Sequence, residues 1–186
     1  MSFKGTYYRL ADNWNNIIPN EFKNKPINYL EIGAFYGANI LSVEKTYANH
    51  IDSKLTCIDP WIDYPEYPEY KGQQTEIYET FKENVVLIKD KLNILRGFSN
   101  EVLIELPNDT FDLIYIDGNH EPEYVLEDAV LSFRKLKING YMIFDDYGWK
   151  SPDHTQKGID AFLSGYSNRI NVLGQRNSQV FLQKLN

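Results

Sequence analysis

One cysteine, Cys57, stands in 186 residues, so no internal disulfide can form; its place in a short apolar run reads as a buried structural thiol suited to a reducing compartment. Nowhere do 18 apolar residues follow one another, which argues against a membrane-spanning helix. The start, MSFKGTYYRLADNW, lacks the apolar stretch and small-residue cleavage site of a secretion signal. A cytoplasmic location is therefore expected. Lys and Arg number 19 against 26 Asp and Glu, do not cluster, and leave a net charge of −7. Phosphate backbones need basic clusters, so neither nucleic acid nor membrane is an expected partner. Two nucleotide signatures are missing as well, G-x-G-x-x-G and G-x-x-x-x-G-K-[ST]. No Cys or paired-His spacing argues for zinc.

What is there is an alternation of short apolar runs and helix-spaced stretches, with no internal repeat, which predicts one domain over residues 1–186. Tyr7, Leu10, Trp14, Ile17 and Ile18 have helical spacing, predicting a helix over 7–23 within an N-terminal helical cap, residues 1–25. INYLEIG is a strand, and Gly37 opens a helix that turns Ile40, Leu41 and Val43 inward. SKLTCID is a second strand ending at Asp59. Residues 60–72, PWIDYPEYPEYKG, have three prolines and no period, so a stiff extended lid loop is expected. Helical spacing resumes over 73–91, NILRG is a third strand, and a short helix over 98–106 takes Ser99 or Asn100 as its cap. FDLIYID is the fourth strand. Pro122 begins a helix that Asn139 and Gly140 stop, and YMIFDD is the fifth strand. A helix over 158–166 leads into INVLGQ and QVFLQKL, a closing antiparallel pair. The fold class is α/β, a doubly wound Rossmann-like sheet of seven strands, mostly parallel with a C-terminal antiparallel hairpin.

Two strands end in acid. FDLIYIDGNH stops at Asp117 and GYMIFDDY at Asp145 and Asp146, at the sheet edge where open α/β folds bind ligands. Three carboxylates there repel one another unless a proton or cation lies between them, and an all-oxygen set suits Mg²⁺. The plainer alternative is that these acids cap loops and helices. At the same edge E-I-G-A-F-Y-G contributes Glu31, Gly33, Ala34, Tyr36 and Gly37, a turn whose glycines let backbone approach a ligand. Arg96-Gly97-Phe98-Ser99 follows the third strand.

Acid-x-G-x-x-x-G followed by Asp59 resembles the first motifs of class I S-adenosylmethionine-dependent methyltransferases. I-D-G-x-H with G-Y-x-I-x-D-D-Y further resembles the metal-dependent sugar O-methyltransferases of macrolide and aminocoumarin biosynthesis, and more remotely the catechol enzymes. The resemblance covers residues 27–165. It implies S-adenosyl-L-methionine held by Glu31, Gly33, Ala34, Tyr36, Gly37, Asp59, Gly97, Phe98, Ser99 and Asp117, with Asp59 on the ribose hydroxyls and Phe98 against adenine. It implies Mg²⁺ or another divalent cation on Asp117, Asp145 and Asp146, and catalysis by Asp117 and His120. His120 is the expected base, since Asn119 cannot take a proton usefully; His154 is an alternative, and His50 is expected on the surface. The expected partner is a small-molecule hydroxyl acceptor, a sugar or glycoside, flanked by Trp61, Tyr64, Tyr67, Tyr70, Tyr147, Trp149 and His154. A planar phenol acceptor and a non-catalytic cofactor-binding scaffold are the rival readings, and a homo-oligomer is compatible with the sequence.

Overall fold

The computed structural model describes residues 2–6, 10–65 and 67–186. Seven strands form one sheet in the order β3-β2-β1-β4-β5-β7-β6. They are β1 Asn28–Ile32, β2 Lys54–Asp59, β3 Leu92–Arg96, β4 Phe111–Ile116, β5 Leu136–Phe144, β6 Ile170–Arg176 and β7 Gln179–Lys184. The first five run parallel, and β7 joins β5 antiparallel. Among the described residues five α-helices intervene: α1 Ala38–Thr46, α2 Gln74–Asn84, α3 Ser99–Glu105, α4 Pro122–Lys135 and α5 Thr155–Gly165.

Strand alternation sends side chains to two cores. Tyr29, Leu55, Cys57, Leu113 and Tyr115 meet α1, α2 and the N-terminal segment on one face. Leu30, Ile32, Ile58, Ile114, Ile116 and Phe144 meet α3, α4 and α5 on the other. Because β1 lies between β2 and β4, the chain winds outward in both directions from the middle of the sheet. The carboxyl ends of these strands open the crevice in which such sheets hold ligands.

The expected helix over 7–23 is replaced by two 3₁₀ turns, Leu10–Trp14 and Asn20–Asn24. Tyr7 lies outside the described residues. Asn16 takes a left-handed φ of 71° and a lone bridge pairs Asn15 with Ile18, so the chain folds back before Pro19 can end anything. The apolar positions are still buried: Trp14, Ile18 and Phe22 all reach the core. The stretch 73–91 likewise divides into α2 and a 3₁₀ turn, Val86–Ile88.

Asn139 and Gly140 do not stop α4. That helix ends at Lys135, whose buried amine donates to the Leu106 carbonyl and to Asn108, and β5 starts at once. Asn139, at φ 64°, sits instead where the β4–β5 register slips. Ser99 is the first residue of α3 rather than its cap; Phe98 takes the cap position, where no side chain makes a capping bond.

Candidate active site

The turn after β1 is built by backbone crowding. Gly33 has φ 84°, and a Cβ there would lie 1.8 Å from the Asp117 carbonyl oxygen. Only glycine lets the ends of β1 and β4 close at that distance. Gly37, also left-handed at φ 85°, ends the turn and stands immediately before α1.

Asp59 holds this turn in place. Its Oδ2 accepts the N–H groups of Ala34 and Phe35, both at 2.9 Å, and its Oδ1 accepts that of Trp61 at 2.7 Å. Burial raises its pKa, and these three N–H bonds pull it back down. One carboxylate therefore ties the end of β2 to both the glycine turn and the lid loop. Gly97 bonds to the Asp59 carbonyl, which brings the half-exposed ring of Phe98 and then Ser99 to the same edge.

Glu31 is buried on β1. It accepts the Tyr29 hydroxyl at 2.6 Å and the Asn39 amide at 2.9 Å. Burial pushes its carboxyl up to about 8, with the two hydrogen bonds opposing. Tyr36 packs against Phe35, and its carbonyl takes a hydrogen bond from Asn84, which also bonds Lys4 in both directions. The N-terminal strap thus lies over the glycine turn.

Beside this half of the edge stands the acid cluster. Asp117, His120 and Asp146 offer ligand atoms that all lie within 4.8 Å of one another. His120 Nε2 is 3.1 Å from Asp146 Oδ2 and 3.9 Å from Asp117 Oδ1. Asp145 lines the same small cavity as Asp117 and His120 but has both oxygens engaged elsewhere. One of its oxygens receives the Tyr115 hydroxyl and the other the Asp146 N–H at 2.9 Å. The three aspartates expected to act alike thus differ in their partners: Asp117 and Asp146 stand with His120, and Asp145 is bonded to Tyr115 and to the Asp146 backbone.

Burial, then the charge of Asp145, raises the Asp117 carboxyl well above the usual carboxylate range. Burial works against charge on His120, but Asp117 and Asp146 outweigh it and push the ring up to about 10. The two neighbouring carboxyl groups therefore favour the charged form of the His120 ring. A ring in that state cannot accept a proton. Asn119, already bonded to the Glu121 N–H, shapes the start of α4 and offers no base.

Two of the aromatics expected beside the acceptor, Tyr67 of the loop over 60–72 and Trp149, reach this cluster. Tyr67 places its hydroxyl 3.0 Å from His120 Nδ1, and Trp149 lies 4.6 Å from the same imidazole, centroid to centroid. Trp61 does not face the crevice. It is 2% exposed, donates its indole N–H to the Phe35 carbonyl, and packs on Tyr78 and Phe81. Its aromatic surface pins the loop to α2 instead. Tyr64 is half-buried in the same loop. Tyr70 packs on Phe35, and Tyr147 is held by its hydroxyl to Asp160 of α5. His154 precedes α5, whose first residue, Thr155, lines a small cavity with Asp117 and His120. His50 bonds the Asp52 N–H in the α1–β2 turn.

The sheet order, the glycine turn and the paired edge sites define a Rossmann-like fold of the methyltransferase type. Among solved structures, the O-methyltransferase NovP aligns with TM-score 0.66 and 18% identity over 88% of this chain and 74% of its own. MycE, from the mycinamycin biosynthetic pathway and solved with Mg and S-adenosylhomocysteine, aligns with TM-score 0.58 and 12% identity over 90% of this chain and 47% of its own. These likenesses concern the fold. A methyltransferase-domain profile matches residues 30–147, and the chain belongs to that family. An uncharacterized protein of Acanthamoeba polyphaga mimivirus, R132, is 30% identical over 142 residues, which cover 70% of this chain. The chain spans 56% of that relative's length. No helix among the described residues is long and apolar enough to cross a membrane.

Proposed function

We propose that the chain is an S-adenosylmethionine-dependent O-methyltransferase that acts on a hydroxyl of a small cyclic molecule, a sugar or glycoside first. The observation that carries this reading is the adjacency of two half-sites: the Gly33 turn tied to Asp59, and the Asp117–His120–Asp146 cluster, with Gly33 and Asp117 in backbone contact. MycE, with its bound Mg and mycinamycin VI, supports the choice of a metal and of a complex hydroxylated acceptor.

The donor set fits a divalent cation. Two carboxyl groups and one imidazole within 4.8 Å form a donor set of the kind a divalent cation takes, and the same two carboxyl groups favour positive charge on His120. Asp117 and Asp146 would hold the ion, with His120 at its side. When bound, S-adenosylmethionine supplies a methyl group on a sulfonium that leaves as a neutral thioether, and the cation lowers the acceptor hydroxyl's pKa.

The chain's own residues supply position and proton transfer. Asp59 keeps the glycine turn open for the donor's amino-acid part, and Phe98 offers its exposed face to the adenine. Tyr67 and Trp149 flank His120 and keep water from it. His120 Nε2 takes the acceptor's proton once the carboxylates no longer hold its charge, a contribution of ~10²–10⁴ in rate. Alignment of the acceptor oxygen with the methyl carbon accounts for much of the remainder.

The test is release of S-adenosylhomocysteine from S-adenosylmethionine across a panel of glycosides and catechols, with and without a chelator. Turnover on a glycoside that falls at least ~100-fold in Asp117→Ala and in chelator supports the reading. Turnover on an acceptor that neither treatment changes refutes the metal, and turnover confined to catechols refutes the sugar.

A further inference from the structure

Behind the acid cluster runs a chain of buried hydrogen bonds whose direction is set from its far end. Trp14, in the N-terminal 3₁₀ turn, donates its indole N–H to Gln179 Oε1 at 3.0 Å. An indole nitrogen can only donate, so the Gln179 amide has one orientation, its oxygen toward Trp14. Its Nε2 then faces Tyr115 and donates to the phenol oxygen at 3.3 Å. Having accepted that bond, Tyr115 directs its own proton to Asp145 Oδ2. Trp14, Gln179 and Tyr115 are all 0% exposed, so water cannot substitute for any of these partners.

The chain ends beside the site. Asp145 Oδ1 accepts the N–H of Asp146 at 2.9 Å. Asp146 stands at φ 55°, a left-handed conformation that aspartate tolerates better than most side chains. That conformation turns its carboxylate to within 3.1 Å of His120 Nε2.

We propose that Trp14, Gln179 and Tyr115 are positioning residues, which orient Asp145 and through its bond to the backbone aim the Asp146 carboxylate into the cation and acceptor site. The inference rests on the metal reading above. It gives the N-terminal segment a part in the chemistry, since the first donor of the chain lies there, and it gives the antiparallel hairpin one through Gln179. Asp145 serves as the last link of the chain and sets the geometry of its neighbour.

The test is calorimetric binding of Mn²⁺ and, separately, of S-adenosylhomocysteine to the full chain. Wild type should bind one Mn²⁺. Gln179→Met and Tyr115→Phe keep shape and lose the donors; each should weaken Mn²⁺ about 10–100-fold while homocysteine-product affinity stays within about twofold. Trp14→Phe, the mildest change and the one that decides the matter if the others do not fold, should weaken Mn²⁺ about three- to tenfold by loosening the amide. A merely structural role would move both affinities together or neither. Variants that bind Mn²⁺ as tightly as wild type overturn the proposal alone. A wild type that binds no Mn²⁺ overturns the metal reading and the proposal with it.

Discussion

Gly33→Ala perturbs the point where the two half-sites touch. The residue sits at φ 84°, where an alanine costs about 1–2 kcal/mol. Its Cβ would also lie 1.8 Å from the Asp117 carbonyl oxygen and 2.6 Å from the carbonyl carbon. Those are backbone atoms and cannot rotate away, so β1 and β4 must separate at their carboxyl ends, at about 1–3 kcal/mol more. The sum, about 2–5 kcal/mol, lowers Tm by roughly 5–15 °C in a chain of this size. Gly72 is the matched control: its φ is 76° and nothing lies within 4 Å of a Cβ there. Gly72→Ala should show the conformational cost alone, about 1 kcal/mol. Thermal unfolding and calorimetry with S-adenosylhomocysteine measure both consequences, and only Gly33→Ala should lose product affinity, at least tenfold for each ~1.4 kcal/mol. Equal Tm shifts and equal affinities in the two variants would refute the claim that this close approach builds the site.

Glu31 has its carboxyl raised to about 8 by burial, so the folded state holds its proton more tightly than the unfolded chain. Its contribution is therefore fully present below the unfolded carboxyl pKa of about 4.3 and is lost as pH rises through about 8. Glu31→Gln should gain stability on wild type from pH 5 to pH 9 in urea unfolding, and a pH-independent difference would contradict this. Trp61→Ala removes an almost fully buried ring and should cost about 3–5 kcal/mol, read from the urea midpoint; a cost below about 1 kcal/mol would place Trp61 outside the core. Phe98→Ala removes a side chain 45% exposed, so stability should change by less than about 1 kcal/mol while nucleoside affinity falls by about 1–3 kcal/mol, the scale of stacking one base on an aromatic ring. Tyr67→Phe removes the hydroxyl at His120 Nδ1 and should lower turnover on a working acceptor several-fold with product affinity unchanged; an unchanged turnover would detach the lid from the base.

Much of the fold was legible because strand and helix periods differ and glycine and acid mark the strand ends. The N-terminal segment was not. Its apolar spacing is helical and Trp14 and Ile18 are buried as expected, but the left-handed Asn16 and the packing of Trp14 on Tyr47 and Tyr115 fold it into short turns. Asn139 and Gly140 misled in a similar way, since turn-formers serve a register slip in a strand as well as a helix end. At the site, Asp117, Asp146 and His120 stand together as their motifs suggested, whereas the division of labour between Asp145 and Asp146 depends on which oxygen faces Tyr115 and is invisible in D-D-Y. Trp61 is expected beside the acceptor because an aromatic ring offers a flat face to a sugar. Its left-handed φ of 45° and its indole bond to Phe35 bury it instead. Tyr67, on the same loop, is the residue that reaches His120; no spacing rule distinguishes the two. Gln179 gave no signal, since a lone glutamine in an apolar strand reads as an outward-facing residue.

The central claim is that a methyl donor and a cation-bound hydroxyl meet between the Gly33 turn and the Asp117–His120–Asp146 cluster. The most direct measurement is a crystal structure of the chain soaked with S-adenosylhomocysteine and Mn²⁺, with anomalous data collected for manganese. The account predicts one anomalous peak among Asp117, His120 and Asp146, and the nucleoside lying between Asp59 and Phe98 with its sulfur directed at that peak. Product bound elsewhere, or manganese absent from those three side chains when product is bound, would contradict it.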